Sequence, residues 1–183
     1  MSTFLASLRI CVVSMLVCVV GYTAFVLAFA QLVTPHTANG SLVVAADGRV
    51  IGSECIAQAF TKPGYFWPRP SAVGYNAAAA GGSNKSPTSP DLTARADQTV
   101  AQHQATAARP LPADLAAASG SGLDPHISER AARYQVERIA TARGITAERV
   151  EALITAHAFA AGGWLDGGRI VSVLALNLAL DRP

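Results

Sequence analysis

The run from Ile10 to Val33 contains no charged residue, and only Ser14, Thr23 and Gln31 interrupt it with polar groups. A helix rises about 1.5 Å per residue and a bilayer's hydrocarbon core is about 30 Å thick, so about 20 such residues span it. The pattern predicts a transmembrane helix over 10–33, whose backbone groups are satisfied within the segment. Thr34 and Pro35 end it, because proline cannot continue a helix and restrains the residue before it. Ala28-Phe29-Ala30 has the small-x-small form of a signal cleavage site. The apolar stretch, however, exceeds the roughly 7–15 residues of a signal core, so the expectation is an uncleaved anchor. Arg9 and the α-amino group precede the span, and the first charged residue after it is Asp47. Positive charge stays on the cytoplasmic side, which predicts a cytoplasmic tail over 1–9 and a soluble, extracytoplasmic domain over 34–183.

Beyond the span the periodicities shorten. Ser41-Leu42-Val43-Val44, Asp47-Gly48 and Arg49-Val50-Ile51 read as a β-hairpin with a tight Asp-Gly turn. A short helix is expected over Ser53–Phe60, capped by Ser53. Thr61 to Pro90 is irregular by its prolines and glycines, yet it holds Tyr65, Phe66, Trp67 and Tyr75. A loop so rich in aromatics reads as an ordered surface rather than a tether. Ser89-Pro90-Asp91 starts a helix that runs to about Ala108 and buries a narrow stripe of Leu92, Ala96, Val100 and His103. Asp124-Pro125 opens a helical turn. Ser128 caps an amphipathic helix ending at Gly144, and Thr146 caps another that stops at Gly162-Gly163. Arg169 to Leu174 suits a strand, and the leucine-rich end either extends it or turns helical. The fold class expected is one N-terminal transmembrane helix plus a single α+β or α/β domain with helices packed on a small sheet.

Charge and cysteine content narrow the function. Of 14 Lys/Arg only Arg9 precedes the span, so the domain's basic residues nearly balance the 12 Asp/Glu. No dense basic run occurs, which argues against a nucleic-acid partner. Cys11 and Cys18 lie in the span as small packing residues, and Cys55 stands alone in the domain. A lone cysteine forms no internal disulfide and no metal framework.

Several motifs weaken when read physically. Gly81-Gly82-Ser83-Asn84-Lys85-Ser86 has Asn84, not glycine, before the lysine, so it reads as a turn rather than a phosphate loop. Val73-Gly74-Tyr75 matches part of a potassium filter, but a filter needs pore helices around it. Ser121, Asp124 and His126 are the residue types of a hydrolytic triad, whose geometry closeness in sequence does not provide. His36, His103, His126 and His157 lack metal-ligand spacing, and His157 reads as a helix-face residue. Trp67-Pro68-Arg69-Pro70 is either an exposed recognition surface or a core tryptophan beside a surface ion pair.

Five stretches, taken in order, carry more: Tyr65-Phe66-Trp67-Pro68-Arg69-Pro70-Ser71, Tyr75-Asn76-Ala77, Gly81-Gly82-Ser83-Asn84, Ser119 to Ser128 (SGSGLDPHIS), and Leu176-Asn177-Leu178-Ala179-Leu180, with Ala132 and Tyr134-Gln135-Val136 between the last two. Together they resemble the C subunit of the Kdp potassium-transporting P-type ATPase, the KdpC family, over essentially the whole chain. Ala80 and Ser86 stand where that family usually has serine and glycine, Cys55 replaces an aliphatic residue, and His103 replaces a leucine.

The resemblance implies a non-catalytic subunit of an ATP-driven potassium importer in the bacterial inner membrane, needed for assembly and stabilisation. It further implies a catalytic chaperone that raises the ATP affinity of the hydrolysing subunit. The implied partners are a channel-like potassium-binding subunit, a P-type ATP-hydrolysing subunit and a small membrane peptide. ATP-binding belongs to what the resemblance implies, with ATP possible through the complex and no cofactor assigned to the chain by itself. Subunit contact or a motif role falls to Tyr65, Phe66, Trp67, Arg69, Asn76, Gly82, Ser83, Asn84, Ser119, Gly120, Ser121, Gly122, Asp124, Pro125, His126 and Gln135, with no catalytic or metal-binding residue among them. The alternatives are a membrane-anchored extracytoplasmic hydrolase using Ser121 and His126, and an anchored interaction domain of some other complex.

Overall fold

The structure, a computed structural model, describes residues 2–163 and 168–182. By its internal contacts the chain divides into two compact units, Met1–Ile51 and Gly52–Pro183.

The first unit is dominated by one continuous helical run, α1 (Ser2–Met15), a π-helical segment Leu16–Gly21, and α2 (Tyr22–Val33). None of its residues is buried, and Phe4, Ile10, Val17, Phe25 and Leu32 are all exposed. The helix takes in residues 2–9 as well as the expected 10–33, since nothing in Ser2–Arg9 breaks a helix. Its 32 residues suffice by length and composition to cross a membrane. Thr34 leaves helical geometry at φ −135°, and Pro35 then opens the one-turn α3 (Pro35–Ala38) at the position where its missing N–H costs nothing. β1 (Leu42–Val44) and β2 (Val50–Ser53) form the predicted hairpin. Gly48 supplies a φ of +82°, and Asp47 Oδ1 accepts from Arg49 N at 3.0 Å.

In the second unit the local signals succeed where the determinant is a cap. Ser128 Oγ accepts from Ala131 N, and Thr146 Oγ1 accepts from Arg149 N. Each cap contributes about 1 kcal/mol to its helix. Gly144 takes the left-handed conformation at φ +65°, and Ile145 packs on the core behind it. The helices are α4 (Pro90–Gln102), α5 (Ala113–Ala116), α6 (Glu129–Tyr134), α7 (Val136–Arg143), α8 (Ala147–His157) and α9 (Val173–Leu180). β3 (His126–Ser128) pairs antiparallel with β4 (Ile170–Ser172), with Ile127 opposite Val171. Phe66, Leu115, Ile127, Ile139, Val150, Ile154, Val171 and Leu176 fill the core between this ladder and the helices. The result is the expected α+β arrangement.

Several elements differ from their expectations. The Ser53–Phe60 helix is absent: Ser53 Oγ accepts from Cys55 N at 3.1 Å and commits the chain to a local turn. α4 stops at Gln102, and its buried stripe contains Thr99 while Val100 is exposed. Asp124 Oδ1 accepts from His126 N at 3.0 Å, which turns the chain into strand β3 rather than a helix. The helix expected from Ser128 to Gly144 is broken at Gln135, φ −90° and ψ −5°. α8 ends at His157, where the chain becomes extended and Phe159 bridges Ile170. Ser172 caps α9 through Ala175 N, so the helix begins inside the stretch expected to be strand.

Candidate functional site

The segment Tyr65–Ser71 lies as an irregular strap across α7 and α9, and it is held by side chains in place of a β-ladder. Asn177 Oδ1 accepts from Phe66 N at 2.7 Å while its Nδ2 donates to Phe66 O at 3.0 Å. Gln135 does the same one residue on: Oε1 accepts from Trp67 N at 2.8 Å and Nε2 donates to Trp67 O at 3.1 Å. Buried backbone groups must find partners, and two side-chain amides supply all four here. Phe66 is thereby fixed in the core, and Trp67 is 9 % exposed beneath the Arg138 guanidinium, 3.7 Å from the ring centroid. Arg138 also donates to the carbonyls of Pro63 and Tyr65 and to Gln135 Oε1. Arg143 donates to Gly64 O and Leu180 O and pairs with Asp181 at 2.7 Å. Tyr65 stacks on Arg143 and donates its hydroxyl to Asp181 Oδ2 at 2.9 Å, a bond that raises its pKa above the ordinary tyrosine value.

The far end of the strap meets the other motifs at one junction. Arg69 pairs with Asp124 at 3.0 Å, both half-buried. Ser119 N donates to Pro70 O, and Gly81 N donates to Ser121 O at 2.8 Å. Ser71 Oγ donates to Gly122 O at 2.6 Å and accepts from the backbone N of Val73 and Tyr75. Tyr75 donates to Arg69 O, and burial raises its pKa. Gly122 has a φ of +68°, and a Cβ there would lie 2.6 Å from Val73 Cγ2 and 2.9 Å from Gly81 O. Only glycine fits. A Cβ on Gly82 would sit 3.1 Å from Gly120 O, so the two glycine-rich turns touch backbone to backbone.

The structure therefore splits the expected site residues by role. Phe66, Trp67, Gln135, Ser119 and Gly122 are buried and hold the junction together. Asn76, Asn84, Gly120 and Ser121 form an exposed rim on it, with Gly82, Ser83 and Pro125 half-buried between. Asn76 Oδ1 closes its own turn onto Ala78 N, and Asn84 adopts φ +49°. Pro125 O accepts from Val173 N, tying this turn to the start of α9. Trp67 is the core tryptophan of the two readings, with Arg69 in an ion pair beside it.

The triad residues are engaged otherwise. Ser121 Oγ accepts from Leu123 N at 3.1 Å, and Asp124 divides its oxygens between Arg69 and His126 N. The His126 ring lies edge-on to Phe159, with Nδ1 3.8 Å from Asp124 Oδ1. Gly81–Ser86 follows no strand and opens no helix, so the phosphate-loop context is missing. Lys85 instead pairs with Asp91, whose pKa falls through that hydrogen bond. Among the described residues no group of His, Cys, Asp or Glu is placed to hold a metal.

These joined motifs coincide with a known family. The sequence profile described as "KdpC: K+-transporting ATPase, c chain" matches residues 4–182. The chain belongs to the KdpC family. It is 62 % identical over 182 residues to the "Potassium-transporting ATPase KdpC subunit" of Parvibaculum lavamentivorans, covering 100 % of this chain and 97 % of the relative. It is 47 % identical to that of Myxococcus xanthus, covering 99 % and 88 % respectively, and 43 % identical to that of Synechocystis, covering 98 % and 97 %. As a KdpC chain it is an accessory subunit of a potassium-transporting P-type ATPase complex, not the catalytic one.

In this KdpC chain, Asn177, Ser71, Arg138, Arg143 and Asp181 belong to the site although they were not among its expected residues. Asn177 carried a readable signal, being the one polar residue in the otherwise apolar α9. Arg138 and Arg143 gave none, since an arginine on an amphipathic helix ordinarily faces water.

Proposed function

We propose that this chain is the assembly and stabilising subunit of its ATPase, with the Ser2–Val33 helix packed beside the channel-like potassium-binding subunit and the domain capping that subunit's outer mouth. The observation that carries the reading is the helix itself: 32 residues, predominantly apolar, with none buried within the chain. Such a surface needs lipid and neighbouring helices as its cover. The P-type ATP-hydrolysing subunit and the small membrane peptide complete the set of partners. The soluble part, 34–183, is assigned to the outer side, from Arg9 before the span and the absence of charge until Asp47.

An extracytoplasmic domain does not touch cytoplasmic ATP. The chaperone effect on the hydrolysing subunit's ATP affinity is therefore assigned to the assembled complex, with no nucleotide held by this chain. Photo-crosslinking with an azido-ATP analogue in the intact complex should label the hydrolysing subunit alone, and labelling of this chain would overturn the assignment.

The assembly reading is tested by replacing residues 2–33 with an unrelated single-span helix of the same orientation. Loss of co-purification, with the domain still folded and membrane-bound, supports it. An intact, potassium-transporting complex would sink it. The side of the membrane is tested separately by introducing Thr88→Cys into a variant lacking Cys11, Cys18 and Cys55. A membrane-impermeant thiol reagent should label it in intact cells, and labelling only after lysis would put the domain inside.

A further inference from the structure

Four arginines of the chain are half-buried: Arg69, Arg95, Arg138 and Arg143. Arg69 has Asp124 as its counter-charge and Arg143 has Asp181. Arg95 and Arg138 have no carboxylate partner among the described residues, and each lines a cavity that Trp67 also lines. The first cavity, about 530 Å³, is bordered by Trp67, Gln102, His103, Tyr134 and Arg138. Its acidic wall residue, Glu137, is already paired with Arg109 at 2.7 Å. The second, about 320 Å³, is bordered by Trp67, Tyr75, Arg95 and Thr99. His103 and Gln102 line both, so the two cavities flank one ridge of the domain.

The donors on these walls are incompletely used. A guanidinium has five N–H donors. Arg138 commits three of them, to Pro63 O, Tyr65 O and Gln135 Oε1, which leaves Nε and one Nη2 hydrogen over. Arg95 Nε is buried with no hydrogen-bond partner. A desolvated cation without a counter-charge is costly, and here burial draws the Arg138 pKa down to about 10. A carboxylate delivered from outside would relieve that cost, and Arg binds carboxylate with two donors at once. Arginine is also among the residue types that anchor protein contacts.

We propose that the paired cavities beside Trp67 are a docking site for a short acidic segment of a partner subunit in the ATPase, with its Asp or Glu carboxylates on Arg138 and Arg95. The inference rests on the chain acting as an assembly subunit and names the chemistry of one of its contacts.

The test uses the whole complex. Gln104→Lys and Gln102→Lys each place an amine on the cavity wall, with Ala152→Lys on the exposed face of α8 as control. Zero-length carbodiimide coupling, followed by mass spectrometry, should join the cavity lysines to an Asp or Glu of a partner chain. Arg95→Gln, which removes no hydrogen bond, should lower retention of the chain on the complex about threefold and make it more salt-sensitive. Cross-links confined to this chain's own Glu137, or none while other lysines couple, would overturn the proposal. Failure of this kind with co-purification intact counts against the cavities alone, whereas an intact complex lacking the native helix counts against the assembly reading. A free small carboxylate as ligand is the remaining source. Saturable quenching of Trp67 fluorescence by succinate, in a Trp164→Phe background of the full chain, would establish that source and refute docking of a partner.

Discussion

The side-chain amide of Asn177 binds both backbone groups of Phe66, 111 residues away in sequence, at 2.7 and 3.0 Å. Asn177 is 2 % exposed and Phe66 is fully buried, so water cannot substitute for either bond. Asn177→Leu keeps the branching of the side chain but orphans a buried N–H and C=O. The expected loss is about 2–4 kcal/mol of unfolding free energy, read from urea melts of the detergent-solubilised chain. A loss under about 0.5 kcal/mol would mean the strap relaxes to other partners.

Gly122 and Gly120 should respond oppositely to alanine. Gly122→Ala forces a Cβ at φ +68° to within 2.6 Å of Val73 and 2.9 Å of the Gly81 carbonyl, and is expected to cost at least about 2 kcal/mol. Gly120 has nothing within 4 Å of its Cβ position, and Gly120→Ala should stay within about 0.5 kcal/mol of the parent. Paired thermal melts decide it, and a neutral Gly122→Ala would remove the backbone junction from the account.

The Arg69–Asp124 pair joins the strap to the turn before β3, with 27 % and 30 % of the two side chains exposed. A double-mutant cycle of Arg69→Gln and Asp124→Asn should return a coupling of about 1 kcal/mol that shrinks little with added salt. A coupling lost entirely at high salt would mark the pair as a solvated surface contact.

His103 is packed against Trp67 at 5.1 Å and Tyr134 at 6.2 Å, and burial, followed by the charge of Arg138, lowers its pKa to about 4. The unfolded chain, titrating near 6.5, binds the proton first as pH falls. Stability contributed by the neutral ring is thus present above about pH 6.5 and is lost progressively between there and about 4. The expected loss is about 2 kcal/mol after allowance for solvent screening at the cavity mouth. His103→Leu should flatten this part of the stability–pH profile, and a profile unchanged by the substitution would refute the assignment.

Much of the architecture was legible because its causes are local. An uncharged run from Ile10 to Val33 specifies by itself a helix long and apolar enough to cross a membrane, since a helix satisfies its own backbone. Asp47-Gly48, Ser128, Thr146 and Gly144 act through hydrogen bonds or φ values within a few residues of themselves, and each did what its position predicts. The family, too, is written in contiguous motifs. The roles of the residues inside those motifs are not. Phe66 and Trp67 look like an exposed aromatic loop until Asn177 and Gln135 arrive from 111 and 68 residues away to bind their backbones. The break between α6 and α7 falls on Gln135 itself, whose side chain faces the strap, and no helical propensity predicts it. Ser53, read as a cap, closes a turn because the chain beyond it joins Leu123 through Ala57 N at 2.8 Å. Local sequence specifies which bonds a residue is able to make. Which distant group receives them depends on the packing of Leu115, Ile139, Ile154 and Leu176, and that exists only once the chain has folded.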